Sequence, residues 1–268
     1  MRSSFWQELT TRDFAGLDPE KTIALLPVAA IEQHGPHLPL ATDAIINEGI
    51  ITEALERLPD RLSVLVLPAL TVGSSLEHTA FAGTLSIDAE TLLATWKQIG
   101  ACVARAGIRK LVILNTHGGQ TALVDIAALQ LRADHAMLVA RANYSRFGTP
   151  AGLFSAEELA EDIHGGLVET SLMLHLRPEL VHRDAIEAFA GLPREFAKRN
   201  DQLGVEKPIG FGWMSQDLHP SGACGNAADA DARRGKAYLG HVADTLVTLL
   251  AEVTATPLSV IANRSANN

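Results

Sequence analysis

Short apolar runs alternate with stretches of helical periodicity, and this alternation restricts the fold more than any other feature of the chain. The runs cover residues 22–28, 63–67, 110–115 and 136–140, and helical patterns cover 44–57, 89–106 and 121–134. Short runs that are apolar throughout suit buried strands. A strand–helix–strand order joins such strands in parallel and lays helices over both faces of the sheet. The expectation is an α/β fold built on a mainly parallel sheet.

The rest of the chain is less regular. Residues 156–162 and 168–176 read as helices separated by the Gly165-Gly166 break. Residues 227–253 read as a long helix, apolar in its later part at Val242, Leu246, Leu249 and Leu250. Residues 184–225 hold few long apolar runs and read as excursions over the surface. The tail from Thr254 is expected to fray. There is no internal repeat and no low-complexity block. With 47% hydrophobic residues, the 268 residues are expected to form one domain, 1–268, around a sizeable core.

The formal net charge is -9, Lys and Arg are scattered, and only 5% of residues are aromatic. A nucleic-acid partner, which calls for a basic stripe with stacking platforms, is not expected. No run approaches the roughly 18 apolar residues of a membrane span, and the N-terminus lacks the apolar stretch of a signal peptide. Cys102, in an apolar helical stretch, reads as a buried thiol. Cys224 lies in a Gly-rich loop, and neither cysteine has CxxC spacing. A reducing, cytoplasmic location is the expectation.

In sheets of this kind, ligand sites lie beyond the carboxyl ends of the strands. Three polar clusters fall there. Glu32-Gln33-His34-Gly35-Pro36-His37 follows the first strand, Ser74-Ser75-Leu76-Glu77-His78 the second, and Asn115-Thr116-His117-Gly118-Gly119-Gln120 the third. Side chains two apart on an extended segment point the same way, so Glu32 and His34 can converge. Gly118 and Gly119 let the backbone approach a ligand beside His117. Further on, His164-Gly165-Gly166 precedes Glu169. Five helical positions rotate a side chain by about 140°, so His164 and Glu169 converge only if His164 lies in the loop before the helix. Taken alone, Glu169 answers the positive end of the helix dipole, and Thr42 or Asp43 serves as a helix N-cap. His37 either supports its loop or binds a ligand, and His78 has no assigned part. His135, His175, His182, His219 and His241 fall into no pattern.

Carboxylate and imidazole donors suit zinc, iron or manganese. Together Glu32, His34, Asp43, His117 and Glu169 make a workable ligand set for two divalent ions. Three carboxylates and a bridging hydroxide would balance two such ions, and a partly buried site favours neutrality. Two ions can lower the pKa of a bound water and polarise a carbonyl. One ion with a spare carboxylate as general base satisfies the same residues. A Ser or Cys hydrolase is not indicated, since Gly73-Ser74-Ser75 is no Gly-x-Ser-x-Gly elbow. Nor is a Rossmann dinucleotide site, since no G-x-G-x-x-G follows the first strand.

Five ordered motifs carry a resemblance: residues 32–40 with Thr42-Asp43, residues 73–78, residues 81–86, residues 115–120, and His164-Gly165-Gly166 with Glu169-Thr170-Ser171. In these the chain resembles the creatininase, or creatinine amidohydrolase, family. The resemblance implies a creatininase-like three-layer α/β/α fold with a binuclear metal centre. It implies Glu32, Asp43 and His117 on one ion, and His34, Asp43 and Glu169 on the other, with Asp43 between them. It also implies His164 as general acid/base, Ser75 as a substrate contact, and a homo-oligomer, often a hexamer. Two positions depart from true creatininases. Gly119 stands where those enzymes carry a metal-binding Glu, and Ala160 where they place a Trp over creatinine. The departures leave the metal set intact and point away from creatinine as the substrate.

The expected function is that of a metal-dependent amidohydrolase, an enzyme hydrolysing a non-peptide C–N bond in a small amide, a cyclic one first, or a formamide. In this expectation a metal-bridged hydroxide attacks the carbonyl carbon. The backbone N–H groups of Gly118 or Gly119 steady the oxyanion, and His164 protonates the leaving nitrogen. Alternatives are hydrolysis of another bond on the same site, such as a C–C bond in a keto-sugar or a peptide bond in a modified peptide, and non-catalytic metal or ligand binding. The partners expected are a small molecule and other copies of the chain, not nucleic acid or membrane.

Overall fold

The computed structural model describes residues 4–206 and 209–261. β1 (Thr22–Val28), β2 (Ser63–Val66), β3 (Lys110–Asn115) and β4 (Leu138–Asn143) form a parallel sheet in the order β2-β1-β3-β4. Leu25 aligns with Val66, Val28 with Asn115, and Asn115 with Asn143, so the carboxyl ends emerge at one edge. The chain adds β2 on one side of β1 and β3 on the other. The β1/β3 boundary is therefore the topological switch point, where α/β sheets hold their ligands.

Alternation along the strands divides the core in two. Ile23 and Leu25 of β1, with Val112 and Leu114 of β3, pack with side chains of α1 (Thr42–Glu56) such as Ile46 and Ile50. Ala24, Leu26 and Val28, with Leu111 and Ile113, pack with Leu92, Trp96 and Val103 of α2 (Ala89–Arg105) and Val124 and Leu131 of α3 (Thr121–His135). α4 (Ala156–Glu161) starts at a capping box formed by Ser155 and Glu158. α5 (Leu167–Leu176) completes the first layer through Leu172 and Met173, together with Val242 and Leu246 of the last helix. The three-layer α/β/α arrangement is as expected. Among the described residues no helix is long and apolar enough to cross a membrane.

Residues 184–225 are more than an excursion over the surface. β5 (Ala188–Phe189) pairs antiparallel with β6 (Gly225–Asn226), and α6 (Leu192–Ala197) touches both α4 and α7 (Ser215–Leu218). Phe189, Ala223 and Ala227 make one small core, and Val205, Leu218 and Cys224 another. Their apolar residues are scattered in short pieces along the chain, so no long run announces them.

Other boundaries also move. The fourth strand starts at Leu138, not 136, because Ala136 ends α3 in the left-handed region at φ 51°. The last helix, α8 (Ala232–Ala255), starts later than residue 227, where the Asp231 carboxylate accepts the Arg234 N–H at 2.8 Å. Cys102 is exposed, not buried: α2 turns Trp96, Gly100 and Val103 inward, and Cys102 lies off that face. Around Thr254, where the tail is expected to begin, α8 runs on to Ala255 and Val253 is buried. Residues 262–268 lie outside the described residues.

Lys110 holds that last turn. It is wholly buried, and its ammonium donates to the Glu20 carbonyl at 2.5 Å and the Thr254 carbonyl at 2.9 Å. Lys110→Met deprives both carbonyls of a donor, and a loss of about 2–4 kcal/mol is expected in urea unfolding. An unchanged midpoint would show these contacts to be idle.

Candidate metal centre

The loop after β1 is closed by its own backbone. The Glu32 N–H donates to the Leu40 carbonyl at 2.9 Å, and the Thr42 hydroxyl to the Pro39 carbonyl at 2.7 Å. Glu32, His34 and Asp43 are thereby buried together at the sheet edge. Neither Thr42 nor Asp43 is the helix cap. The N-cap of α1 is Ala41, with no side-chain hydrogen bond. The Asp43 carboxylate instead lies 3.4 Å from His34 Nε2 and 3.5 Å from His117 Nδ1.

His117 follows β3, its backbone gripped by the Asn115 side chain. That amide accepts the His117 N–H at 3.1 Å and donates to its carbonyl at 2.7 Å. His117 Nδ1 lies 3.1 Å from Glu32 Oε1. From the first turn of α5, Glu169 Oε2 reaches 3.7 Å from His34 Nε2. It also accepts the Gly165 N–H at 2.6 Å, so it serves the helix terminus as well as facing the cluster.

Donor atoms of Glu32, Asp43 and His117 lie within 4.8 Å of one another, as do those of His34, Asp43 and Glu169, so Asp43 is common to both groups. Glu32, His34 and His164 form a third group of the same compactness. The far nitrogen of each of the first two rings is anchored. His34 Nδ1–H donates to the Glu32 carbonyl at 3.0 Å, and His117 Nε2–H to the Ser74 carbonyl at 2.9 Å. That leaves His34 Nε2 and His117 Nδ1 facing the carboxylates, the arrangement in which imidazoles bind metal ions.

The electrostatics are those of a cation trap. Burial alone would lower both imidazoles, but Glu169 and Asp43 raise His34 to about 10, and Glu32 and Asp43 raise His117 well above its usual range. Burial alone would raise Glu32, yet His117, with His78 and His164, holds it well below the usual carboxylate range. Burial raises Glu169 to about 7 against the pull of His34. Glu32 Oε1 and Oε2, Asp43 Oδ2 and His34 Nε2 are buried with no hydrogen bond of ordinary geometry beyond the ion-pair contacts among these groups. Such atoms cost about 1–3 kcal/mol each unless a cation joins them. Convergent, orphaned carboxylate and imidazole donors therefore fit divalent metal ions.

An ion entering this trap must displace the protons held on His34 and His117. Metal affinity is expected to rise with pH above neutrality, as His34, raised to about 10, and His117, raised well above its usual range, give up their protons. Calorimetric titration near neutral pH, in buffers of different ionisation enthalpy, should register released protons. Uptake without proton release would contradict this electrostatic picture.

His164 lies in the loop before α5, paired through its backbone with Cys224 at 3.0 and 2.6 Å. Its Nε2 is 2.5 Å from the Gln33 carbonyl, and its Nδ1 is 3.9 Å from Glu32 Oε1. Burial, with His34 and His78 beside it, pushes the ring well below the usual imidazole range, so it is neutral. Ser75 is buried with its Oγ unpartnered. Gly118 and Gly119 are exposed in the turn after His117, and Ala160 is exposed on α4. His37 packs in its loop, with Nε2 2.9 Å from Thr170 Oγ1 and its ring stacked on Phe189.

Three residues without a role in the sequence reading also meet here. Glu77 Oε1 lies 3.5 Å from His117 Nε2 and fills the space beside Gly119, where any Cβ would overlap it. His78 Nε2 lies 3.3 Å from Glu32 Oε1. Gln33 contacts both His78 and His164.

The Creatininase family pattern, described as creatinine amidohydrolase, matches residues 7–250. The chain belongs to the creatininase family. A mycofactocin precursor peptide peptidase of Mycobacterium ulcerans (strain Agy99) is 31% identical over 256 residues, 93% of each chain. The creatinine amidohydrolase of Pseudomonas putida is 33% identical over 197 residues, 68% of this chain and 73% of that one. Among solved structures, a mutant creatininase of Zn-Zn type matches with TM-score 0.72 and 26% identity, over 94% of this chain and 98% of that one. As a member of the creatininase family the chain is a metal-dependent hydrolase.

Proposed function

We propose that the chain is an amidohydrolase that cleaves the C–N bond of a small cyclic amide or a formamide. The observation that carries this reading is the pair of donor clusters sharing Asp43. Glu32, Asp43 and His117 would hold one divalent ion, and His34, Asp43 and Glu169 the other. Bound there, such ions supply Lewis acidity toward a carbonyl and toward water.

The chain's own groups do the rest. His164 presents Nδ1 toward the cluster while its Nε2 is engaged by the Gln33 carbonyl. In that posture it takes a proton at Nδ1 from the attacking water, whose oxygen bonds to the carbonyl carbon, and gives it to the leaving nitrogen as the C–N bond breaks. Ser75 Oγ, buried and unpartnered, is the candidate contact for a polar group of the substrate. The N–H groups of Gly118 and Gly119 are the candidate oxyanion donors.

A second reading, cleavage of a peptide bond in a modified peptide on the same site, is favoured by the peptide peptidase relative matched over 93% of both chains. One experiment tests both. The purified chain is analysed for transition metals and assayed on cyclic amides, formamides and short peptides, before and after chelation. The expected result is bound metal, with amide turnover lost on chelation and regained on adding metal. Turnover of peptides alone would transfer the assignment to the second reading. Full activity of the metal-free chain would sink both.

A further inference from the structure

Gln33 stands between Glu32 and His34 in the chain, and every polar group it has is engaged. Its backbone N–H donates to Thr84 Oγ1 at 3.1 Å. Its side-chain Oε1 accepts the Gly35 N–H at 2.8 Å, and its Nε2 donates to the Gly222 carbonyl at 3.0 Å. A backbone N–H only donates and a carbonyl only accepts, so these two contacts settle which end of the amide is nitrogen. The same Nε2 lies 2.7 Å from His78 Nδ1. An amide nitrogen only donates, so His78 Nδ1 is the acceptor. The ring proton of His78 then sits on Nε2, 3.3 Å from Glu32 Oε1.

The backbone of Gln33 applies the same logic to a second ring. Its carbonyl oxygen lies 2.5 Å from His164 Nε2. A carbonyl only accepts, so His164 carries its proton on Nε2. The lone pair of His164 is then on Nδ1, which lies 3.9 Å from Glu32 Oε1. The two rings lie against each other, with centroids 4.2 Å apart.

We propose that Gln33 locks His78 and His164 in the Nε2–H tautomer but turned opposite ways, so that His78 presents a donor to the metal centre and His164 an acceptor. His78 is then a positioning residue for Glu32 and is barred from binding metal. Coordination through Nε2 would move its proton to Nδ1, where it would meet the Gln33 amide donor to donor. His164 is kept ready to receive a proton. That last consequence rests on the amidohydrolase reading, whereas the tautomers do not. Gly222 belongs to the same device: its φ of +82° is in the left-handed region, and any Cβ there would overlap the Gln33 amide.

Solid-state nitrogen-15 NMR of the histidine-labelled, zinc-loaded chain tests this without any substrate, with signals assigned through His78→Asn and His164→Asn. Both rings of the unaltered chain are expected to be protonated at Nε2 and bare at Nδ1. Gln33→Glu places an acceptor against His78, so protonation of His78 Nδ1 is expected. His164, held by the backbone carbonyl, should not change. His78→Gln, whose amide can still donate to Glu32 but offers no imidazole ligand, is expected to keep the full zinc content. A bare Nε2 on His78 in the unaltered chain overturns the proposal, as does an unchanged His78 in Gln33→Glu or a lost zinc equivalent in His78→Gln. If Gln33→Glu fails to fold, the spectrum of the unaltered chain still decides. Inactivity on every amide of the panel would remove the amidohydrolase reading and leave the tautomer result standing.

Discussion

Asp43→Asn is expected to strip the protein of bound metal and to lower kcat/KM by more than about a thousandfold, or about 4 kcal/mol of transition-state stabilisation. The substitution conserves shape and removes one charge. Asp43 is 1% exposed, and its two oxygens face different imidazoles, Oδ1 toward His34 and Oδ2 toward His117. It is the residue common to both two-carboxylate donor clusters. An amide in its place offers one weaker acceptor and turns an N–H toward the other side, so each cluster drops from two carboxylates to one, Glu32 or Glu169. The backbone should survive the change, because the Thr116 hydroxyl holds the Asp43 carbonyl at 2.9 Å and the side chain caps no helix. Elemental analysis and melting curves with and without chelator check the result. Metal that binds only the folded chain raises its melting temperature, and in Asp43→Asn that difference should vanish. A variant retaining both ions would show that Asp43 does not join them.

The parts of the fold that were legible in the sequence are those that physics makes repetitive. β1 and β3 are buried on both faces, so residues 23–28 and 111–114 are unbroken apolar runs, and the strands occupy the expected residues 22–28 and 110–115. β4 lies at the sheet edge, where Arg141 can reach Asp125 at 3.0 Å, so its polar half carries no strand signal. Glu32 and His34 were visible as a pair because extended backbone repeats every two residues. Asp43 looked like a helix cap because local spacing cannot tell a cap from a carboxylate turned away from its helix. Gln33 was invisible for the opposite reason. Its partners His78 and Gly222 come from distant loops, and no local pattern encodes a meeting of that kind. His78 and Glu77 were seen as part of a polar cluster, but only the fold aims them at Glu32 and His117.

Gly119 links the sequence departure to the site. The resemblance implies a metal-binding Glu at this position in true creatininases, and this chain carries a glycine there. In the structure the adjoining space holds the Glu77 carboxylate, and any side chain at residue 119 would collide with it. A carboxylate at 119 and Glu77 in its present position are thus mutually exclusive. The chain keeps a carboxylate beside His117, delivered from the loop after β2. The environment of His117 therefore includes Glu77 alongside Glu32 and Asp43.

His164→Gln should separate proton transfer from metal binding. Its turnover is expected to fall by about 10²–10⁴-fold, the usual contribution of a general acid/base, with zinc content unaltered. Glutamine can still donate to the Gln33 carbonyl that His164 Nε2 now engages at 2.5 Å, so the loop before α5 retains its anchor. The backbone pairing with Cys224 does not involve the side chain and should persist. What disappears is a ring nitrogen able to take up a proton and release it. The loss should therefore appear in kcat and leave KM little changed, the signature of an interaction made in the transition state and not in substrate binding. His164 also belongs to the third donor group, with Glu32 and His34. If the variant loses zinc in parallel with activity, His164 is a ligand, and proton transfer must be reassigned to another group at the centre. If zinc stays and turnover is undiminished, His164 takes no part in the chemistry, and the proton route through the Gln33-anchored ring falls with it.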